Sequence, residues 1–126
     1  MDVIAKWRAY AEGHDKKALW DLLAPDAVFE SPVVHTPQQG RDITFKYLAS
    51  AIKVLGGEGF RYVGEWRCAN GAVLEFEREI DGIRINGVDI IGWNDAGQIS
   101  SFKVMVRPLR AMNLLHQLMG AELQKR

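Results

Sequence analysis

From residue 60 onward the chain takes on a strand period, and the turns that cut it are too short to leave its topology much freedom. Four segments, Phe60–Arg67, Ala72–Ile80, Ile83–Trp93 and Ile99–Arg107, alternate apolar and polar residues. Between them stand Asn70-Gly71, Asp81-Gly82 and Asn94-Asp95-Ala96-Gly97, residues that favour tight turns. A parallel crossover needs a dozen residues or more, so connections of this length force consecutive antiparallel pairing. A two-residue turn at Asp81-Gly82 sets Ile80 against Ile83, Arg78 against Ile85, Phe76 against Gly87 and Leu74 against Asp89. A four-residue loop at Asn94–Gly97 sets Asp89 against Phe102, Gly87 against Val104 and Ile85 against Val106. Leu74, Phe76, Ile85, Ile91, Phe102 and Val104 then share one face with Arg78 and Asp89. The other face carries Glu75, Glu77, Glu79, Arg84, Asn86, Lys103 and Arg107. There Arg84 stands opposite Glu79 and diagonal to Glu77, a charge ladder. Val73, Val88 and Ile90 interrupt that polarity.

The first 55 residues supply the cover for the apolar face. Val3, Ile4, Trp7, Tyr10 and Ala11 fall on one helical stripe, interrupted at Gly13. Asp15 is placed to cap a short second helix bearing Leu19, Leu22 and Leu23, which Pro25 stops. Ala27–Glu30 reads as a short strand, followed by a loop from Ser31-Pro32 through Pro37 to Gly40. A third helix carries Phe45, Leu48, Ile52 and Leu55, with Asp42 near its positive end and Gly56-Gly57 as its left-handed stop. Pro108 ends the last strand and serves as the first residue of an amphipathic helix through Gln124. Its stripe is Met112, Leu115, Leu118 and Met119, and a helix this short docks on the body of the domain or on a partner subunit. The expected architecture is α+β: a cone of three N-terminal helices packed on a curved antiparallel sheet, plus a C-terminal helix, in one domain over residues 1–126.

Composition narrows the function. Sixteen basic residues balance sixteen acidic ones, so the chain lacks the field of a nucleic-acid binder or of a protein drawn to anionic membranes. The single Cys68 excludes an internal disulfide framework and a cysteine-rich zinc site, and with only Arg67 as a basic neighbour it reads as inert. His14 and His116 stand at no ligand spacing, so no metal is expected. No phosphate loop, nucleophile elbow or dinucleotide fingerprint occurs, and no cofactor is expected. The opening stretch MDVIAKWRAYAEGHD carries charge throughout, unlike a secretory leader, and no segment has the roughly 20 apolar residues that span a bilayer. A soluble, cytoplasmic protein is the expectation.

Several motifs in this order resemble the nuclear-transport-factor-2-like superfamily, on its SnoaL-like and ketosteroid-isomerase-like side. They are Gly13-His14-Asp15, Pro25-Asp26-Ala27-Val28-Phe29-Glu30-Ser31-Pro32, Gly40-Arg41, Val88-Asp89-Ile90-Ile91 and Asn94-Asp95-Ala96-Gly97-Gln98-Ile99. The resemblance implies a cystatin-like cone with a pocket at its wide end. In ketosteroid isomerases the general base is the Asp of a Glu-Asp-Pro segment after the first strand; here Glu30-Ser31-Pro32 puts Ser31 at that position. The family's oxyanion-hole tyrosine on the first helix corresponds to Trp7, with Tyr10 the nearest phenol one turn along. The third member is a carboxylic acid that stays protonated and donates a hydrogen bond, and Asp89 matches it. One catalytic position in three is kept, which argues against steroid isomerisation. Limonene epoxide hydrolase chemistry is also excluded, because Arg107 replaces its late-strand Asp and no Arg-x-Asp stands in the second long strand. SnoaL-type cyclases use a single pocket Asp as acid or base, and Asp89 fits that role.

The leading expectation is a small-molecule-binding domain with an apolar pocket around Asp89. Alternatives are a cofactor-free isomerase, cyclase or dehydratase, and a pocketless dimerisation module. The catalytic candidates are Asp89, Tyr10 and His35, the last in the loop beside the expected pocket mouth. The ligand-binding candidates are Trp7, Phe29, Ser31, Phe76, Arg78, Phe102 and Val104. At these periodicities the aromatic residues are also ordinary core, Arg78 is equally a snorkelling arginine, and Asp89 equally a structural carboxylate. Desolvation should raise the Asp89 pKa, with Trp7 N–H, Tyr10 O–H or Arg78 as compensating partners. The expected partners are a small apolar ligand and a second copy of the chain, joined through the outer sheet face at Val73, Val88 and Ile90.

Overall fold

The structure is a computed structural model and describes residues 2–125. Asp2 opens the first helix, α1 (Val3–Gly13), by accepting a hydrogen bond from the Ala5 N–H at 2.7 Å. Asp15 caps α2 (Lys16–Leu22) through the N–H groups of Lys17 and Ala18. The chain then enters β1 (Leu23–Glu30) two residues before Pro25. Pro25 is therefore a strand residue and not the helix stop; the helix ends at the buried Leu22 because Leu23 and Ala24 are buried in the extended entry to the sheet. The following loop, read from sequence as irregular, contains the two-residue strand β2 (Gln38–Gln39), paired with Val28 and Phe29.

Helix α3 (Arg41–Leu55) buries Thr44, Leu48, Ile52 and Leu55, and the Thr44 hydroxyl donates to the Ala27 carbonyl at 3.1 Å. It ends at Gly56, whose backbone is extended; the left-handed residue is Gly57, at φ +93°. Four strands follow: β3 (Arg61–Cys68), β4 (Gly71–Ile80), β5 (Ile83–Trp93) and β6 (Ile99–Arg107). The last helix, α4 (Leu109–Leu123), has Pro108 as its cap residue and packs on α3, β5 and β6, so its apolar stripe is used within the chain.

The sheet is curved and open, in the order β2-β1-β6-β5-β4-β3. It is antiparallel apart from β1, which runs parallel to β6. The α+β architecture of helices on a curved sheet is as expected. No described helix is long and apolar enough to cross a membrane.

The β4–β5 register is the expected one: Asp81 and Gly82 both take positive φ, and Leu74 pairs with Asp89, Phe76 with Gly87 and Arg78 with Ile85. The β5–β6 register differs from expectation by two residues. Asp89 pairs with Val104, Gly87 with Val106 and Ile91 with Phe102. Its connection holds five residues, Asn94 to Gln98, closed by the Asn94 N–H donating to the Gln98 carbonyl, and a bulge beyond Trp93 adds one more. A slip of two leaves every side chain on its expected face. The β3–β4 turn is also displaced, since Cys68 pairs with Gly71 and the loop residues are Ala69 and Asn70. On the outer face Arg84 reaches the diagonal Glu77, at 3.8 Å, and not the Glu79 directly opposite.

Candidate functional site

Asp89 is brought inward by the period of β5, which alternates Ile85, Gly87, Asp89 and Ile91 on the concave face. It is 6% exposed, and with Thr44 it is one of two buried polar residues among those described. Its neighbours across the sheet are Leu74 and Val104. A carboxylate in such surroundings loses its hydration and needs a partner. The partner is Tyr62 on β3, whose hydroxyl donates to Asp89 Oδ2 at 2.5 Å. The same hydroxyl accepts from Trp7 Nε1 at 2.8 Å. The expected compensators were Trp7, Tyr10 and Arg78. Of these only Trp7 takes part, and it acts through Tyr62.

Burial pushes the Asp89 carboxyl up to about 7, opposed by the Tyr62 hydrogen bond, which favours the charged form. The same proximity drives the Tyr62 phenol well above its ordinary value, first through burial and then through the Asp89 charge. Near neutral pH the pair thus holds a carboxyl poised between its acid and base forms beside a phenol that stays protonated. That combination suits proton exchange with, or hydrogen bonding to, an oxygen-bearing ligand.

Tyr62 and Asp89 border an apolar cavity of about 40 Å³ between the concave sheet face and helices α1, α3 and α4. Among the ligand-binding candidates, Trp7, Phe29, Ser31, Phe76, Phe102 and Val104 line it, joined by Leu48, Phe60, Leu115 and Met119. The volume holds about one water molecule, so anything larger has to displace side chains. Packing around it is aromatic: Trp7 meets Phe102 edge-on at 4.7 Å, and Phe60 stacks on Phe76 at 5.5 Å. Ser31 Oγ is occupied as the acceptor of the Val33 N–H at 3.0 Å.

Three candidates lie apart from this cavity. Tyr10 is buried one turn along α1, against Trp7 on one side and His14 on the other, and its phenol is raised by burial alone. His35 is exposed in the loop after β1, beside Lys103 and Met112. Arg78 occupies the concave face two residues beyond Phe76, under the loop that joins α3 to β3.

The sequence matches no protein-family model and no curated protein, whereas solved structures resemble it along nearly its full length. A steroid delta-isomerase from Pseudomonas aeruginosa is 34% identical, with 96% of this chain and 88% of that one covered and a TM-score of 0.89. The chain belongs to the ketosteroid-isomerase-like, SnoaL-like branch of the NTF2-like superfamily. An uncharacterized bacterial protein with a cystatin-like fold from Silicibacter pomeroyi DSS-3 is 29% identical, covering 94% and 83% of the two chains with a TM-score of 0.85. An NTF2-like protein of unknown function from Mesorhizobium loti, 20% identical over 84% and 88%, has a TM-score of 0.72 and shares the fold. Asp89 and Ser31 both line the cavity of the present chain. The phenol beside the acid comes from β3, while α1 contributes an indole.

Proposed function

We propose that the protein binds a small, largely apolar molecule in the concave cavity, with an oxygen of the ligand hydrogen-bonded to Asp89. One observation carries this reading: a buried carboxyl, bonded by Tyr62 at one oxygen, borders a space otherwise walled by aromatic and aliphatic side chains. A purely structural carboxylate gains nothing from a position so costly to its charged form. The resemblance to a steroid delta-isomerase supports a ligand-binding use of the fold.

Native mass spectrometry of the protein purified from cells tests it. A small-molecule adduct is expected on the wild type and should be depleted roughly tenfold in Asp89→Asn, the factor for one lost hydrogen bond involving an acid. No adduct on either protein would favour a dimerisation module without a ligand.

A second reading, cofactor-free isomerisation, cyclisation or dehydration, is favoured by the neutral-range pKa of Asp89. With Ser31 in place of a second carboxylate, Asp89 would have to act as both acid and base. The expected signature is a turnover with a pH limb near 7 that Asp89→Asn abolishes, and no conversion of a β,γ-unsaturated steroid ketone.

The outer sheet face supports self-association. Trp66, Val73 and Ile90 stand side by side across three strands, with Val88 and Met105 paired in an adjacent row. Trp66 and Met105 are more than half exposed. Glu75, Glu77, Arg84 and Lys103 give the stripe a rim of both signs, which a two-fold axis can match to itself. Sedimentation at tens of micromolar, on the order of a weak interface's dissociation constant, is expected to show a dimer that Ile90→Glu converts to monomer. A monomeric wild type would overturn this.

A further inference from the structure

We infer that the ligand carries an acid group, and that Arg78 is the residue that binds it. This rests on the cavity reading above and names the class of molecule that reading would admit. Arg78 is a half-buried arginine on the concave face of β4, and its Nε is buried without a hydrogen-bond partner among the described residues. An orphaned buried donor is costly, and a guanidinium presents four further N–H donors in the same plane. No ion pair satisfies it among the described residues. Glu77 and Glu79 belong to the opposite face, where Glu77 is bonded to Arg61 at 2.9 Å and Glu79 stands across from Arg84. Glu58 is exposed in the covering loop.

The surroundings connect Arg78 to the cavity. Its Nη1 packs so closely on Gly59 that a Cβ there would stand 2.6 Å away and push the guanidinium aside, and the φ of +91° at Gly59 itself favours glycine. Gly59 precedes Phe60, which lines the cavity and stacks on Phe76, the concave-face neighbour of Arg78. Leu55, at the other end of the same loop, also lines the cavity. Gly57 and Gly59 both take positive φ in this loop, a backbone conformation that glycine adopts without strain. A ligand that displaced Phe60 would therefore meet Asp89 at one end and Arg78 at the other. Arg78 lies four residues along β4 from Leu74, the partner of Asp89, a span of about 13 Å at about 3.3 Å per residue. The class is an elongated apolar acid with a carbonyl or hydroxyl far from its carboxylate. A neutral steroid lacks the acid end.

Intrinsic tryptophan fluorescence and calorimetry, with a medium-chain acid bearing a ketone at the end remote from the carboxylate and with the methyl ester of the same acid, provide the test. The wild type is expected to prefer the acid by roughly tenfold or more, as a bidentate charged pair would give. Arg78→Met, which suits the apolar face and removes the orphan donor, should bind acid and ester equally. Arg78→Lys should retain part of the preference. Equal binding of acid and ester by the wild type, both weakened by Asp89→Asn, would overturn the role of Arg78 and leave the cavity reading intact. Binding of neither compound would overturn both.

Discussion

Asp89→Asn is expected to stabilise the folded protein at pH 8 by on the order of 4 kcal/mol, and at pH 5 by less than half as much. In the folded state the carboxyl titrates at about 7, against 3.8 for the free group. Between those values the folded chain holds a proton that the unfolded chain has released. Stability contributed by this group is complete below the unfolded value and is lost as pH rises through the folded one. The shift of roughly 3 units at about 1.4 kcal/mol each sets the magnitude. Asparagine keeps the shape and can accept from Tyr62, so the charged state's penalty disappears with the fold retained. Asp2, Glu65 and Glu122, all held below their ordinary values by arginine or lysine partners or backbone, act with opposite sign and lose stability as acid protonates them. The wild type should therefore be most stable at mildly acidic pH. Urea unfolding at pH 5 and pH 8 measures both points, and an equal difference between the two proteins at both pH values would contradict the assignment.

The concave face was legible because its determinants are local. Asp81-Gly82 can adopt the positive φ pair that a two-residue hairpin demands, and that turn alone places Asp89 opposite Leu74. Even the misjudged β5–β6 connection did no damage to the face assignment, because its two extra residues come as a pair: one in the loop and one in the bulge beyond Trp93. Pro25 misled for the opposite reason. Read locally it stops a helix, yet in the structure it sits in β1, after burial of Leu22, Leu23 and Ala24 has already drawn the chain into the sheet.

Tyr62 was not legible, and the cause is specific. A turn at Asn70-Gly71 would set Tyr62 opposite Glu79, on the outer face. The turn at Ala69 and Asn70 would by itself set it opposite Glu77, outside again. Only the bulge between Tyr62 and Gly64 reverses the face and pairs Tyr62 with Phe76. The available signals are Gly64 at the bulge itself, an isolated glycine in a strand, and Val63, which breaks the alternation and is exposed. Arg78 was legible as a concave-face residue, but its lack of a partner depends on Gly59 and the covering loop, which sequence periodicity does not position.

Tyr62→Phe should be the most damaging single-atom change at the site, costing about 3 kcal/mol at pH 8. The hydroxyl serves two groups at once, accepting from Trp7 Nε1 and donating to Asp89 Oδ2. Phenylalanine fills the same space, so the cost is the desolvation of an indole N–H and a carboxylate left without partners, about 1–3 kcal/mol for each. The loss should be smaller at pH 5, where Asp89 is protonated in both proteins and no charge is stranded. Removing the hydrogen bond that favours the ionised form also moves the Asp89 midpoint above its wild-type position near 7. In an Asp89→Asn background the cost of Tyr62→Phe should become independent of pH, because the group whose charge the phenol stabilises is gone. Tyr10→Phe is the contrasting change: its ring is buried one turn from Trp7 and outside the cavity, and its effect should carry no such pH dependence. A Tyr62→Phe loss that stays constant between pH 5 and pH 8 in the otherwise wild-type chain would show that the phenol does not govern the charge on Asp89.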